Sequence, residues 1–166
     1  MQRLVIALAG LIALASGLAL SRPWTTVSAL LAWQHPEVTT VDAGRLARWM
    51  RQDPAPLLLD ARAPAERDVS MLPGAVAVDP NAPDVASLPD PEGRRVVVYC
   101  ALGSRSAHVA EALADAGWDD VTSLEGGIFA WANAGLPLVR QGEPVRVVHA
   151  FGWPFDRMVD PERRAP

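Results

Sequence analysis

A second cysteine is missing from this chain of 166 residues. That single absence excludes an intramolecular disulfide, a CxxC redox pair and a cysteine-rich zinc site. The three histidines, His35, His108 and His149, are scattered, so no metal-ligand spacing emerges and neither a metal nor a cofactor is expected. Blocks of like charge are also missing. Acidic residues modestly outnumber basic ones, for a formal charge of -4, so there is no electrostatic case for a nucleic-acid partner. A small anionic ligand would need a local positive site. No internal repeat is present, and the length suits one domain with a substantial core.

One long hydrophobic run is present. After Arg3, "LVIALAGLIALASGLAL" runs from Leu4 to Leu20 without a charge. It lies between a signal-peptide core of about 7 to 15 residues and the roughly 20 that span a bilayer. Residues 1–22 are therefore expected to be a signal peptide or a membrane anchor. Arg3 and the amino terminus slightly outweigh Arg22, which favours export. The expected location is extracytoplasmic (periplasmic), soluble after cleavage or membrane-anchored, with a cytoplasm-facing anchored domain as the alternative. Residues 23–37 read as a connector, 38–140 as the domain and 141–166 as an aromatic, charged tail that packs across the domain or serves a partner.

Within the domain, "VTTVDAGRLARWMRQ" reads as a short strand and a helix capped by Asp42. "APLLLDAR" is an apolar run ending in Asp60 and Arg62, which fits a buried parallel strand. "APAERDVS" reads as a short helix and "MLPGAVAVDP" as a turn and strand. After a proline-rich loop comes "VVVYC", the clearest buried strand. "SRSAHVAEALADAGW" follows as a helix with Ala107, Ala110, Leu113 and Ala114 on one side and Gly117 as its stop signal. "DVTSLEG" supplies a strand, and "GIFAWANAGLP" a short helix ended by Gly135 and Pro137. Strands alternating with helices predict an α/β domain whose mostly parallel central sheet is flanked by helices on both faces.

The lone Cys100 sits where a strand ends and a helix begins. A free cysteine is among the most buried residue types, so an apolar filler competes with a working thiol. Open parallel sheets bind ligands beyond the carboxyl ends of their strands. In "CALGSR", Ala101, Leu102, Gly103 and Ser104 can curl their amides into an anion-binding nest, the helix start near Ser104 adds partial positive charge, and Arg105 adds a full one. All three favour thiolate over thiol. The candidate site is therefore Cys100 as nucleophile with Ala101, Leu102, Gly103, Ser104 and Arg105 binding substrate. Ser104 and Ser106 are read as caps or loop donors.

Three stretches together resemble the rhodanese-like family. "LLLDARAPAERDVSMLPGAVAVDP" is similar to its first signature, an apolar strand, D-x-R, a short acidic helix and a Pro-Gly-Ala turn; "VVVYCALGSRSAHVAEALADAGW" to its active-site strand, loop and helix; "VTSLEGGIFAWANAGLPL" to its closing pattern. The resemblance implies that Cys100 accepts sulfane sulfur as a persulfide and passes it on. The donor would be thiosulfate or a persulfide, and the acceptor cyanide or a thiol. Asp60 and Arg62 match the D-x-R positions, where a structural pair bracing the loop is implied. Gly126, Gly127 and Trp131 match packing positions. Met71 stands where the family often has His, and Arg67 where it often has an aromatic residue. The alternatives are a membrane-associated carrier or partner-binding module without rapid turnover, and a cysteine-dependent phosphatase. The same resemblance implies that the four residues between Cys100 and Arg105, one fewer than in related dual-specificity phosphatases, favour sulfur over phosphate.

Overall fold

The computed structural model describes residues 23–166, so the signal peptide or anchor expected over residues 1–22 lies outside the described residues. Much of the stretch read as a connector is helical: α1 spans Pro23–Gln34. Proline is suited to a helix start, where its missing N–H would have had no partner, and "ALLA" from Ala29 to Ala32 favours continuation. Among the described residues no helix is long and apolar enough to cross a membrane.

Next come β1 (Thr39–Val41) and α2 (Ala43–Trp49). Asp42 caps α2 as its sequence position predicts, accepting the Arg45 amide at 2.9 Å. Then follow β2 (Leu57–Asp60), α3 (Pro64–Arg67), β3 (Val76–Ala77), β4 (Val96–Tyr99), α4 (Ser104–Asp115), β5 (Val121–Leu124) and α5 (Gly127–Asn133). The five strands form one parallel sheet in the order β1-β5-β4-β2-β3. β2 and β4 are buried at every position because helices cover both faces, which is why "LLLD" and "VVVY" show no polar alternation.

Alternate side chains divide the core. Leu58, Val97 and Tyr99 face Leu46, Ile128, Phe129 and Trp131, while Leu57, Leu59, Val96, Val98 and Cys100 face Val109, Ala110 and Leu113 of α4. Ala114, read as part of the buried stripe, is exposed, and Val109 is buried instead. A buried Leu such as Leu113 contributes about 2 kcal/mol through apolar area removed from water.

After α5 the chain forms the antiparallel hairpin β6 (Leu138–Arg140) and β7 (Glu143–Val145). The last residues then return across the domain. Val148, Met158 and Val159 are buried in the same core as Trp131 and Leu138. The Asn133 side chain secures them, donating to the Met158 carbonyl and accepting the Asp160 amide, each at 2.9 Å.

Candidate active site

The parallel register pairs Asp60 with Tyr99, so β2 and β4 end at the same level and Cys100 emerges at their carboxyl edge. α5 sets the shape of the loop that follows. Its Ile128 amide donates to the Cys100 carbonyl at 2.8 Å and its Phe129 amide to the Ala101 carbonyl at 3.3 Å. Close approach requires glycine at 127: a Cβ there would lie 2.3 Å from the Cys100 oxygen, and φ is +54°. With these carbonyls held by α5, the loop turns the Gly103 amide inward, and it donates to Cys100 Sγ at 3.0 Å.

Cys100 is only 2% exposed and packs among Val98 and Val109, as a filler would. The polar surroundings of its sulfur set it apart. Besides the Gly103 amide, Ser106 Oγ lies 3.7 Å away, and that hydroxyl also bonds the Gly103 carbonyl at 3.0 Å and Ser123 Oγ at 2.9 Å. Sequence reading placed Ser106 among the loop donors but missed Ser123, which arrives from β5 only through the fold. Ala101 is buried, Leu102 half-buried and Ser104 exposed. Gly103 is covered from outside by α1, where a Cβ on Gly103 would lie 2.8 Å from Leu31 Cδ1.

Arg105 does not stand as a free cation. Glu66 of α3 grips its guanidinium with two bonds, Nη1 to Oε2 at 2.6 Å and Nη2 to Oε1 at 2.9 Å. Burial opposes ionisation of Glu66, but Arg105 and the Ala63 amide, which donates to Oε2 at 3.1 Å, hold its carboxyl below the usual range. The same pairing raises Arg105, against its burial, with the neighbouring Cys100 sulfur adding to the rise. The one positive charge of the loop is therefore balanced by a fixed carboxylate. The available signal was a glutamate in a first helical turn, three residues after Ala63, positioned to reach back to that amide.

Asp60 and Arg62 form a buried brace. Arg62 Nη2 lies 2.6 Å from Asp60 Oδ2 and also donates to the Ser70 carbonyl at 2.6 Å, while Nη1 reaches the Glu66 carbonyl at 3.3 Å. Tyr99 completes it, donating its hydroxyl to Asp60 Oδ2 at 2.6 Å and accepting the Leu72 amide at 3.1 Å. Burial, reinforced by Asp60, pushes the Tyr99 phenol well above its ordinary value, so it remains a donor. The brace ties β2, β4 and the α3 turn together through Tyr99, the residue before Cys100. Met71 serves through its backbone, exchanging bonds of 2.7 and 2.9 Å with Val139. Arg67 donates to the Arg62 carbonyl.

A strand, a glycine-containing cysteine loop, a helix, and a D-x-R brace now stand together in one parallel sheet. The rhodanese-like domain profile matches residues 42–134. The chain belongs to the rhodanese-like domain family. It is 35% identical over 102 residues to a sulfurtransferase of Allochromatium vinosum, covering 61% of this chain and 95% of that one. Among solved structures, a rhodanese-related protein from Thermoplasma volcanium is 26% identical with a TM-score of 0.55, covering 62% of this chain and 99% of that one. A thiosulfate sulfurtransferase from Pseudomonas aeruginosa is 31% identical with a TM-score of 0.53, over 63% of this chain and 20% of that one. Two of these three relatives are named for sulfur transfer.

Proposed function

We propose that this chain is a sulfurtransferase that carries sulfane sulfur on Cys100. The thiolate attacks the outer sulfur of thiosulfate or of a persulfide. A bond forms between Cys100 Sγ and that sulfur, the donor's own S–S bond breaks, and sulfite or a thiolate leaves with the electron pair. Cyanide or a thiol then attacks the outer sulfur of the Cys100 persulfide and regenerates the thiolate. The observation that carries this reading is the Gly103 amide aimed at Cys100 Sγ from 3.0 Å, because an inward N–H stabilises negative charge on sulfur before and after transfer. Asp60 and Arg62 brace the loop rather than touch substrate.

The test is turnover of thiosulfate and cyanide by the full chain beside Cys100→Ser. Thiocyanate should form with the native protein and disappear with the variant. Absence of both turnover and a Cys100 persulfide would overturn the reading, and Cys100-dependent hydrolysis of an aryl phosphate would point to a phosphatase instead.

One observation favours a second reading, a sulfur carrier or partner-binding module without rapid turnover. Cys100 is 2% exposed and Leu31 lies over Gly103, so access to the sulfur is narrow. Persulfide formation without multiple turnover would select it. The extracytoplasmic location, with or without a membrane anchor, is proposed from Leu4–Leu20 alone, and protease accessibility in intact cells before and after outer-membrane disruption tests it.

A further inference from the structure

Between α3 and the turn after β3 lies a cavity of about 370 Å³, within the size range of small-molecule sites. Arg105 is the wall it shares with the Cys100 loop. Four ionisable residues line it: Arg62, Arg67, Asp79 and Arg105. Two are already committed, Arg62 to Asp60 and Arg105 to Glu66. The other two are free of ion pairs among the described residues. Arg67 donates to the Arg62 carbonyl through Nη1 alone, and Asp79 accepts the Asn81 amide at 2.9 Å through Oδ1 alone. Each keeps polar atoms without a protein partner, and the two do not pair with each other.

The concave surface therefore presents one available positive and one available negative group. That arrangement complements a ligand carrying both charges, since each ligand charge finds its opposite and the complex adds no net charge. It does not complement a compact dianion such as thiosulfate, which needs surplus positive charge that Glu66 has cancelled at Arg105.

We propose that this cavity holds the α-carboxylate and α-ammonium groups of an amino-acid persulfide, the carboxylate on Arg67 and the ammonium on Asp79, as the donor that loads Cys100. The inference rests on the sulfur-transfer reading above and names its substrate class. In the loading step the Cys100 thiolate attacks the terminal sulfur of R–S–SH. The new Sγ–S bond forms as the donor's S–S bond breaks. The amino-acid thiolate leaves with the electron pair, and the proton stays on the transferred sulfur. No further oxidant or reductant is required.

The experiment follows single-turnover loading of the full-length protein by intact mass, reading the gain of one sulfur atom. Three persulfide donors are compared, with thiosulfate as a fourth, control donor: cysteine persulfide, the persulfide of 3-mercaptopropionate, which lacks the ammonium, and the persulfide of 2-mercaptoethanol, which lacks both charges. Arg67→Gln should slow loading from the first two about tenfold and leave the third unchanged, as expected for loss of one charge-assisted contact. Asp79→Asn should slow only the first, and Arg67→Lys should recover part of the rate. Equal slowing with all three donors, or no slowing with any, would overturn the assignment. No sulfur on Cys100 from any donor, thiosulfate included, would instead remove the sulfur-transfer reading itself.

Discussion

Glu66 and Arg105 meet through two bonds of 2.6 and 2.9 Å although they stand 39 positions apart in the chain. The carboxylate is nearly enclosed, at 5% exposure, whereas the guanidinium is 32% exposed. A cysteine loop whose only cation is neutralised in this way offers no surplus positive charge to a highly charged anion.

Replacing Glu66 with Gln keeps the shape and removes the counter-charge. The ratio of kcat/KM for thiosulfate to that for an uncharged persulfide should rise several-fold in Glu66→Gln. The pair also sets an acid limit. Because the folded-state value of Glu66 is lowered, its stabilising contribution is present above the ordinary carboxylate value of about 4.3 and is lost as pH falls through the lower folded value. Thermal melts of native protein and Glu66→Gln should differ at pH of about 6 and converge in strong acid.

Tyr99→Phe removes one hydroxyl, takes from Asp60 Oδ2 one of its two partners, the other being Arg62, and strips the Leu72 amide of its partner in a buried site. A loss of about 1–3 kcal/mol in urea unfolding is expected. The pH dependence has the opposite sign to that of Glu66. Tyr99 is raised in the fold, so its contribution is present below the ordinary phenol value of about 10 and fades as pH climbs above it. The native protein should weaken in alkali, and Tyr99→Phe should show a flatter alkaline decline.

Gly127→Ala and Gly142→Ala separate a steric from a conformational effect. Both positions have positive φ, +54° and +86°, but only at 127 would the new Cβ strike backbone, at 2.3 Å from the Cys100 oxygen. Each should lose about 1 kcal/mol or more of stability from backbone strain. Only Gly127→Ala should also slow sulfur loading of Cys100, because the loop must shift to admit the methyl group.

Leu31→Ala tests the cover over Gly103. Shortening this side chain removes the atom that a Cβ on Gly103 would meet at 2.8 Å. Alkylation of Cys100 by a small neutral reagent should then proceed several-fold faster if α1 limits access, as local opening governs the reactivity of enclosed groups. An unchanged rate would place the barrier in the loop itself.

The sheet and the cysteine loop were legible because their signals are local. Three apolar residues ending in a charged one, as in "LLLD", fit a doubly covered strand, and a glycine after a cysteine marks a turn into a helix. The D-x-R pair was legible through the family resemblance, and its bond forms locally because Asp60 and Arg62 lie two residues apart. Glu66 and Ser123 were not, since each acquires its role from a partner on another element. The expectation that Arg105 would present an open charge failed on that account. α1 escaped because its helix is apolar without a clear polar stripe, which also describes a connector lying on a surface.

Val148, Met158 and Val159 seat the final residues in the same interior as Trp131 and Leu138, and the Ala165 amide still bonds the Val148 carbonyl at 2.9 Å. Grafting this unit into a chimera therefore requires carrying it through Ala165. A cut at residue 134, where the family match stops, would strip away a wall of the interior and leave an adhesive apolar scar on the excised piece.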